Sequence, residues 1–415
     1  MVHLLLTFKK LPSIFYLEMI MRIKTVYVYI FLVAVLLSPS VLSSMPFDSE
    51  CRKYFDPGPG EKLDQTHEGG LVPSLAAIDY DNDGDLDFLE SADIFIYMVT
   101  NKGGKFEKTI LYSSFGEEEP LDVMSRFAVA DFNNDGYQDF ILSDIGGRVW
   151  IWINEESEKD KPNFSYYVCA DFGQCAFGLD AADFDHDGLV DFVVSHVTLP
   201  TEYTTISIFY NRGNLTFERK DIYRFNVLDE QMSIDDLAAR DFDNDGDIDI
   251  LFGASYFEWY GIFRPWPIYV KGQIFYLENV GNETFAPPRL IAERGKPLRI
   301  WLGLWFLFKV QAPLRIKLGL HRIHPSIASA DFDMDGDFDF ATIDQSGKVE
   351  LFLNDESANF TSAGIIHRYG YGGTGGNLDA ADFDKDGDAD LLISILDYYN
   401  CDFGWVYLKR NLCVS

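Results

Sequence analysis

The sequence predicts an all-β fold, a β-propeller of six four-stranded blades with room for a seventh, and three observations carry that prediction. An aspartate-rich decapeptide recurs six times, each copy is flanked by strand-length apolar runs, and the copies stand about 50 residues apart with one interval of about 90. Self-similarity at such a period marks propellers, solenoids or arrays. The copies are DYDNDGDLDF at 79, DFNNDGYQDF at 131, DFDHDGLVDF at 183, DFDNDGDIDI at 241, DFDMDGDFDF at 331 and DFDKDGDADL at 382.

Along the chain, the first segment to explain is residues 1–44. Arg22 and Lys24 form a basic region, residues 25–37 an apolar run and residues 41–44 a small-residue stretch, which together predict a secretory signal or an N-terminal anchor. Met21 would begin a cleaner signal of the same kind. The expectation is a secreted or cell-surface protein that touches a membrane only through an uncleaved anchor. Residues 45–70 hold no copy of the repeat and could supply a strand that closes the ring, leaving 71–415 as the propeller.

Within each repeat a small apolar run precedes the aspartates: SLAAI, FAVA, LDAA and SIASA are examples. A second run such as FVVS or LLIS follows, and a third ends in asparagine, as in VWIWIN to Asn154, ISIFYN to Asn211, IFYLEN to Asn279 and VELFLN to Asn354. These are β-branched and aromatic runs bounded by turn signals, with no helical period. A unit of this size cannot bury both faces of its own sheet, so the copies must pack face to face around an axis. The long interval is read as excursions inside the fourth unit, with a degenerate seventh blade over 290–325 as the alternative.

Lys and Arg number 34 against 66 Asp and Glu, a formal charge of −32, which argues against nucleic acid and anionic lipid as partners and favours cations. In the pattern D-x-D-x-D-G-x-x-D, oxygen donors stand at positions 1, 3, 5 and 9, a backbone carbonyl at position 7, and Gly at 6 allows the bend. Oxygen-only donors select Ca2+ over zinc or copper. An EF-hand would need a bidentate Glu at position 12, where five of the six copies have Leu142, Val194, Phe252, Thr342 and Ile393 and only the first has Glu90.

Six such loops between short strands resemble the FG-GAP/VCBS repeat family, the calcium-loop propellers that include the headpiece of integrin alpha chains. The resemblance implies calcium ligands at Asp79, Asp81, Asp83 and Asp87; Asp131, Asn133, Asp135 and Asp139; Asp183, Asp185, Asp187 and Asp191; Asp241, Asp243, Asp245 and Asp249; Asp331, Asp333, Asp335 and Asp339; and Asp382, Asp384, Asp386 and Asp390. The carbonyls of Asp85, Tyr137, Leu189, Asp247, Asp337 and Asp388 would complete the sites, giving about six structural Ca2+. Asn133 keeps an oxygen but loses a charge, so the second site is expected to be weaker.

Weaker features follow. Asn163, Asn214, Asn282 and Asn359 begin N-x-S/T sequons, where turn chemistry competes with glycosylation as the explanation. Tyr256, Phe257, Trp259, Tyr260, Phe263 and Trp266 could stack sugar rings, although blade packing also consumes aromatics. The glycine-rich stretch 368–376 reads as a flexible connection, His321 and His324 as loop histidines, and 298–320 as an insertion too interrupted by charge for a membrane span. Of five cysteines, Cys169 and Cys175 suit a local bridge, and Cys51 could pair with Cys401 or Cys413.

The expected function is an adhesion or ligand-binding module for an extracellular protein or glycan. No catalytic constellation stands out, so the chain is expected not to be an enzyme. An extracellular polysaccharide lyase or hydrolase, and a passive surface-layer protein, are the alternatives.

Overall fold

The computed structural model describes residues 54–55, 59–65, 74–258, 268–294 and 326–413, apart from short gaps at 93–94, 115–125, 145, 160, 174, 199–202, 227–231, 345–346, 370–372, 375 and 398–402. Within 49–415 the described residues form one compact unit, and residues 1–48, with the expected signal, lie outside the described residues. Among the described residues every regular element is a strand.

The first is β1 (Glu61–Gln65). Five four-stranded antiparallel sheets follow in chain order. Blade one comprises β2 (Ser74–Ile78), β3 (Asp87–Ala92), β4 (Phe95–Asn101) and β5 (Phe106–Ser113). Blade two comprises β6 (Arg126–Ala130), β7 (Asp139–Ser143), β8 (Arg148–Asn154) and β9 (Phe164–Asp171). Blade three comprises β10 (Ala176–Ala182), β11 (Asp191–Thr198), β12 (Tyr203–Asn211) and β13 (Phe217–Asn226). Blade four comprises β14 (Met232–Arg240), β15 (Asp249–Glu258), β16 (Ile268–Leu277) and β17 (Arg289–Arg294). Blade five comprises β18 (Ser326–Ala330), β19 (Asp339–Ile343), β20 (Lys348–Leu353) and β21 (Thr361–Arg368).

The sixth sheet holds β22 (Gly373–Thr374), β23 (Leu378–Ala381), β24 (Asp390–Asp397) and β25 (Phe403–Lys409), with β22 and β23 both lying along β24. Its outer strand is β1, which runs antiparallel to β25 with Glu61 opposite Leu408 and Gln65 opposite Trp405. The first described strand thus closes the ring against the last, and the fold is a six-bladed β-propeller. The long interval between the fourth and fifth motifs is partly blade four itself. Arg289–Arg294 is that blade's fourth strand, and the rest of the seventh-blade alternative, 295–325, lies outside the described residues.

Burial explains which run becomes which strand. The second strands β7 and β19 are buried along their whole length and, after the opening aspartate, carry apolar residues with one Ser or Thr each. The outer strands β5 and β9 face solvent for much of their length and are correspondingly more polar. Each junction between neighbouring blades has its own apolar cluster, six in all, and the last joins Leu75 and Phe88 of blade one to Leu392 and Val406 of blade six. Aromatic pairs stack inside them, with Phe192 on Phe209 and Phe340 on Phe352 both at 4.7 Å between ring centres. The first strands of the blades neighbour one another in a circle around a central cavity of about 250 Å³.

No disulfide joins Cys169 to Cys175, contrary to expectation: both thiols are free, and Cys169 Sγ donates to the Val149 carbonyl at 3.3 Å across the sheet. Cys51 and Cys401 lie outside the described residues.

Candidate metal centres

Every aspartate loop joins the first strand of a blade to its second, and the loop folds around its own first carboxylate. Oδ2 of Asp79, Asp131, Asp183, Asp241, Asp331 and Asp382 accepts the amide of the glycine five residues on, at 2.8–3.0 Å. In five loops Oδ1 also accepts the amide at position 5, at 3.1–3.2 Å. The bend needs the glycine: position 6 has φ between 82° and 103° in all six copies, a region closed to most side chains. Position 4 is also left-handed, at 54–62°, and carries Asn in three copies, the side chain that tolerates this best.

The ninth residue, Asp87, Asp139, Asp191, Asp249, Asp339 or Asp390, begins the second strand and is at most 1% exposed. Its Oδ1 accepts the backbone amide of the asparagine that ends or follows the third strand, at 2.7–2.8 Å in every blade. In blades two to six Oδ2 accepts the amide at position 2. Burial nevertheless disfavours the ionised form and pushes these carboxyls up, to about 8 for Asp87 and about 7 for the other five; the amide hydrogen bonds only partly offset this.

Positions 1, 3 and 9 come together. In loops one, three, four, five and six a carboxylate oxygen from each lies within 4.8 Å of the other two. In loop two the third member is Asn133, whose Nδ2 donates to Asp135 at 2.8 Å. The position 5 carboxylates stand outside these trios, with Oδ1 accepting the position 7 amide at 2.9–3.2 Å.

Do these residues fit a cation? Asp79 Oδ1, Asp87 Oδ2, Asp185 Oδ1 and Asp333 Oδ1 are buried acceptors with no hydrogen-bond donor, as oxygens reserved for a cation would be. Burial raises Asp79, Asp243 and Asp333, with like charge from neighbouring aspartates adding to it. Hard, anionic, oxygen-only sets of this kind suit Ca2+. Some charge is already met by Lys159 on Asp83, Arg212 on Asp185 and Arg410 on Asp384, at 2.5–2.6 Å.

Sequence reasoning missed two features. One is the asparagine that closes the third strand: its Nδ2 donates to the position 2 carbonyl of the preceding blade, Asn154 to Tyr80, Asn211 to Phe132, Asn354 to Phe242 and Asn411 to Phe332, at 2.7–2.9 Å. The recurring asparagine was visible in the repeats, but its reach between blades was not. The other is the central cavity, where carboxylates from three blades face inward. Asp180 pairs with Arg240 at 3.1 Å and Asp236 with Arg126 at 3.3 Å, while Asp379 accepts the Ala77 amide at 2.6 Å and is raised by burial to about 6.

The four sequon asparagines are exposed and lie in the connections between third and fourth strands of blades two to five, at the same end of the sheets as the aspartate loops. Tyr256 and Phe257 stand on β15, whereas Trp259, Tyr260, Phe263, Trp266, His321, His324 and 298–320 lie outside the described residues. In the stretch 368–376, Gly373–Thr374 forms β22. Among the described residues no helix is long and apolar enough to cross a membrane.

Comparison with known proteins follows this geometry. The family model for the FG-GAP-like repeat matches residues 131–194, 183–252 and 331–393. No curated protein matches the sequence. Among solved structures, the GH93 alpha-L-arabinofuranosidase of Fusarium graminearum is 9% identical with a TM-score of 0.52, covering 86% of this chain and 98% of that one. The alpha-L-arabinanase of Penicillium chrysogenum is 10% identical with a TM-score of 0.50, covering 85% and 96%. A lectin of Agrocybe aegerita is 16% identical with a TM-score of 0.45, covering 81% and 80%.

The expectation that the chain is not an enzyme is corrected by these neighbours, because the fold is shared with two glycoside hydrolases over nearly their whole length. A propeller assembles sites from separate repeats, so the lack of a contiguous catalytic motif was no ground for that expectation. The acidic groups meeting in the central cavity illustrate it. The chain carries FG-GAP-like repeats, and the matched residues contain five of its six aspartate loops.

Proposed function

We propose that this chain is an exported, calcium-stabilised β-propeller that binds an extracellular glycan or protein, in adhesion or ligand capture. The observation that carries the calcium part is the buried, donorless carboxylate oxygen in loops one, three and five, beside trios of carboxylates within 4.8 Å. Asp79, Asp81, Asp87 and their counterparts would hold the ion, with Asn133 in the weaker second loop. Bound calcium supplies the counter-charge that the self-repelling loops lack. The residues do the rest: position 1 shapes the loop, and position 9 ties it to the second and third strands of its blade.

Metal analysis of the purified chain, with thermal unfolding in calcium and in excess chelator, tests this reading. About six ions per chain and a large drop in Tm on chelation are expected. A calcium-free chain whose melt ignores chelator would overturn it.

A second reading is supported by the central cavity and by the fold shared with the fungal arabinanase and arabinofuranosidase: a polysaccharide-degrading enzyme. Asp379, pushed to about 6, has the protonation range of a general acid, and Asp180 lies near enough to influence it electrostatically. Product release from neutral or acidic polysaccharides, abolished by Asp379→Asn with the fold intact, is the outcome that decides for catalysis over binding alone.

A further inference from the structure

In five of the six loops the left-handed residue at position 4 reaches out of its own loop to the next one around the ring. Asn82 Nδ2 donates to the Gly136 carbonyl at 3.0 Å and Asn134 Nδ2 to the Gly188 carbonyl at 3.1 Å. Asn244 Nδ2 donates to Asp337 Oδ1 and Lys385 Nζ to Asp85 Oδ1, both at 2.5 Å. His186 Nε2 stands 3.7 Å from Asp247 Oδ1. The sixth is Met334, which is 49% exposed and offers no polar group. There another residue takes over: the Cys413 amide donates to Asp388 Oδ2 in loop six at 2.9 Å, and Cys413 Sγ donates to the Asp333 carbonyl in loop five at 3.4 Å. Four junctions thus carry a hydrogen bond from position 4, Cys413 bridges a fifth, and His186 faces Asp247 across the remaining one.

The placement of the bridges matters more than their number. Each donor at position 4 sits between the oxygen-bearing side chains at positions 3 and 5 of its own loop. Each acceptor sits at position 6 or 7 of the next, directly after the acid at position 5 and at or beside the carbonyl expected as a ligand. Ordering one loop around an ion therefore fixes the arm that holds the ligand-bearing segment of its neighbour.

We propose that these bridges couple adjacent calcium sites, so that the ring fills cooperatively, with position 4 and Cys413 as positioning residues. This inference rests on the calcium reading above. A site beside an occupied one spends less conformational entropy on binding. Where a hydrogen bond spans the junction, it makes the neighbouring site tighter by roughly two- to tenfold.

Isothermal titration of Ca2+ into the chelator-stripped full chain tests the coupling, using the wild type, the Asn82→Ala/Asn134→Ala double variant and Lys385→Met. The wild type is expected to give a Hill coefficient above one. The variants are expected to bind the same number of ions with a Hill coefficient closer to one, the asparagine variant with a few-fold weaker uptake. Lys385 is exposed, so Lys385→Met decides the matter should the double variant lose its β-sheet circular dichroism. Equal Hill coefficients in wild type and folded variants, with calcium bound by all of them, overturn the coupling alone. A wild type that takes up no calcium overturns the calcium reading and the coupling with it.

Discussion

At position 9 a single carboxylate belongs both to a candidate metal trio and to the framework of its blade. Asp191 accepts the Phe184 amide at 2.9 Å and the Asn211 amide at 2.7 Å, so it ties loop, second strand and third strand together. Asp191→Ala leaves two buried amides without acceptors. It is expected to cost about 2–4 kcal/mol in urea unfolding even in chelator, where a residue that served only as a ligand would show no loss. The raised carboxyls also set a pH dependence for the stripped protein. Their folded values near 7 lie above the ordinary 3.8, so the folded state holds more protons than the unfolded state between them. Stability of the calcium-free chain should therefore fall as pH rises from about 4 to about 7 and level off beyond about 8. Urea midpoints in chelator at pH 5 and pH 8 check this, and a higher midpoint at pH 8 would contradict it.

Blade by blade, the same parts recur, and what the sequence made legible follows from whether a contact is local. The aspartate loop is local: its acids, its glycine and its flanking runs are contiguous, so the loop and both adjoining strands could be read from spacing. The asparagine after the third strand acts across a junction, since Asn211 donates to Phe132 at 2.9 Å from 79 residues away, and no spacing rule connects the two. The cavity was hidden for the same reason, because Asp180, Asp236 and Asp379 sit in short runs of small residues that read only as strand. The position 4 bridges were equally opaque, although the frequent Asn there hinted at the left-handed backbone. Asn211→Ala removes a buried link between blades three and two and strands the Phe132 carbonyl. A loss of about 1–3 kcal/mol is expected by denaturant titration, with calcium stoichiometry unchanged. A value near zero would mean that the aromatic junction alone holds the blades together.

Across the whole molecule, closure depends on β1, the strand that covers the outer edge of β25 among the described residues. Phe55, which also precedes blade one, packs at the junction of blades five and six, against Phe332 with ring centres 5.9 Å apart. Deleting residues 1–66 uncovers the outer edge of β25 over Trp405–Leu408, the residues that β1 faces. Light scattering is expected to show concentration-dependent association of that variant, together with a lower Tm, because an open edge recruits other chains. A monomeric variant of unchanged Tm would show that the seam adds nothing.

The placement of the four sequons has a further consequence. Asn163, Asn214, Asn282 and Asn359 all emerge on the rim that carries the aspartate loops, one on each of blades two to five, and no other sequon occurs in the chain. Sugar chains attached there would form a crescent with its gap at blades six and one, where Lys385 crosses to Asp85. The ring would then have a clothed side and a bare one, and a bulky partner could dock on the bare side without displacing a single glycan.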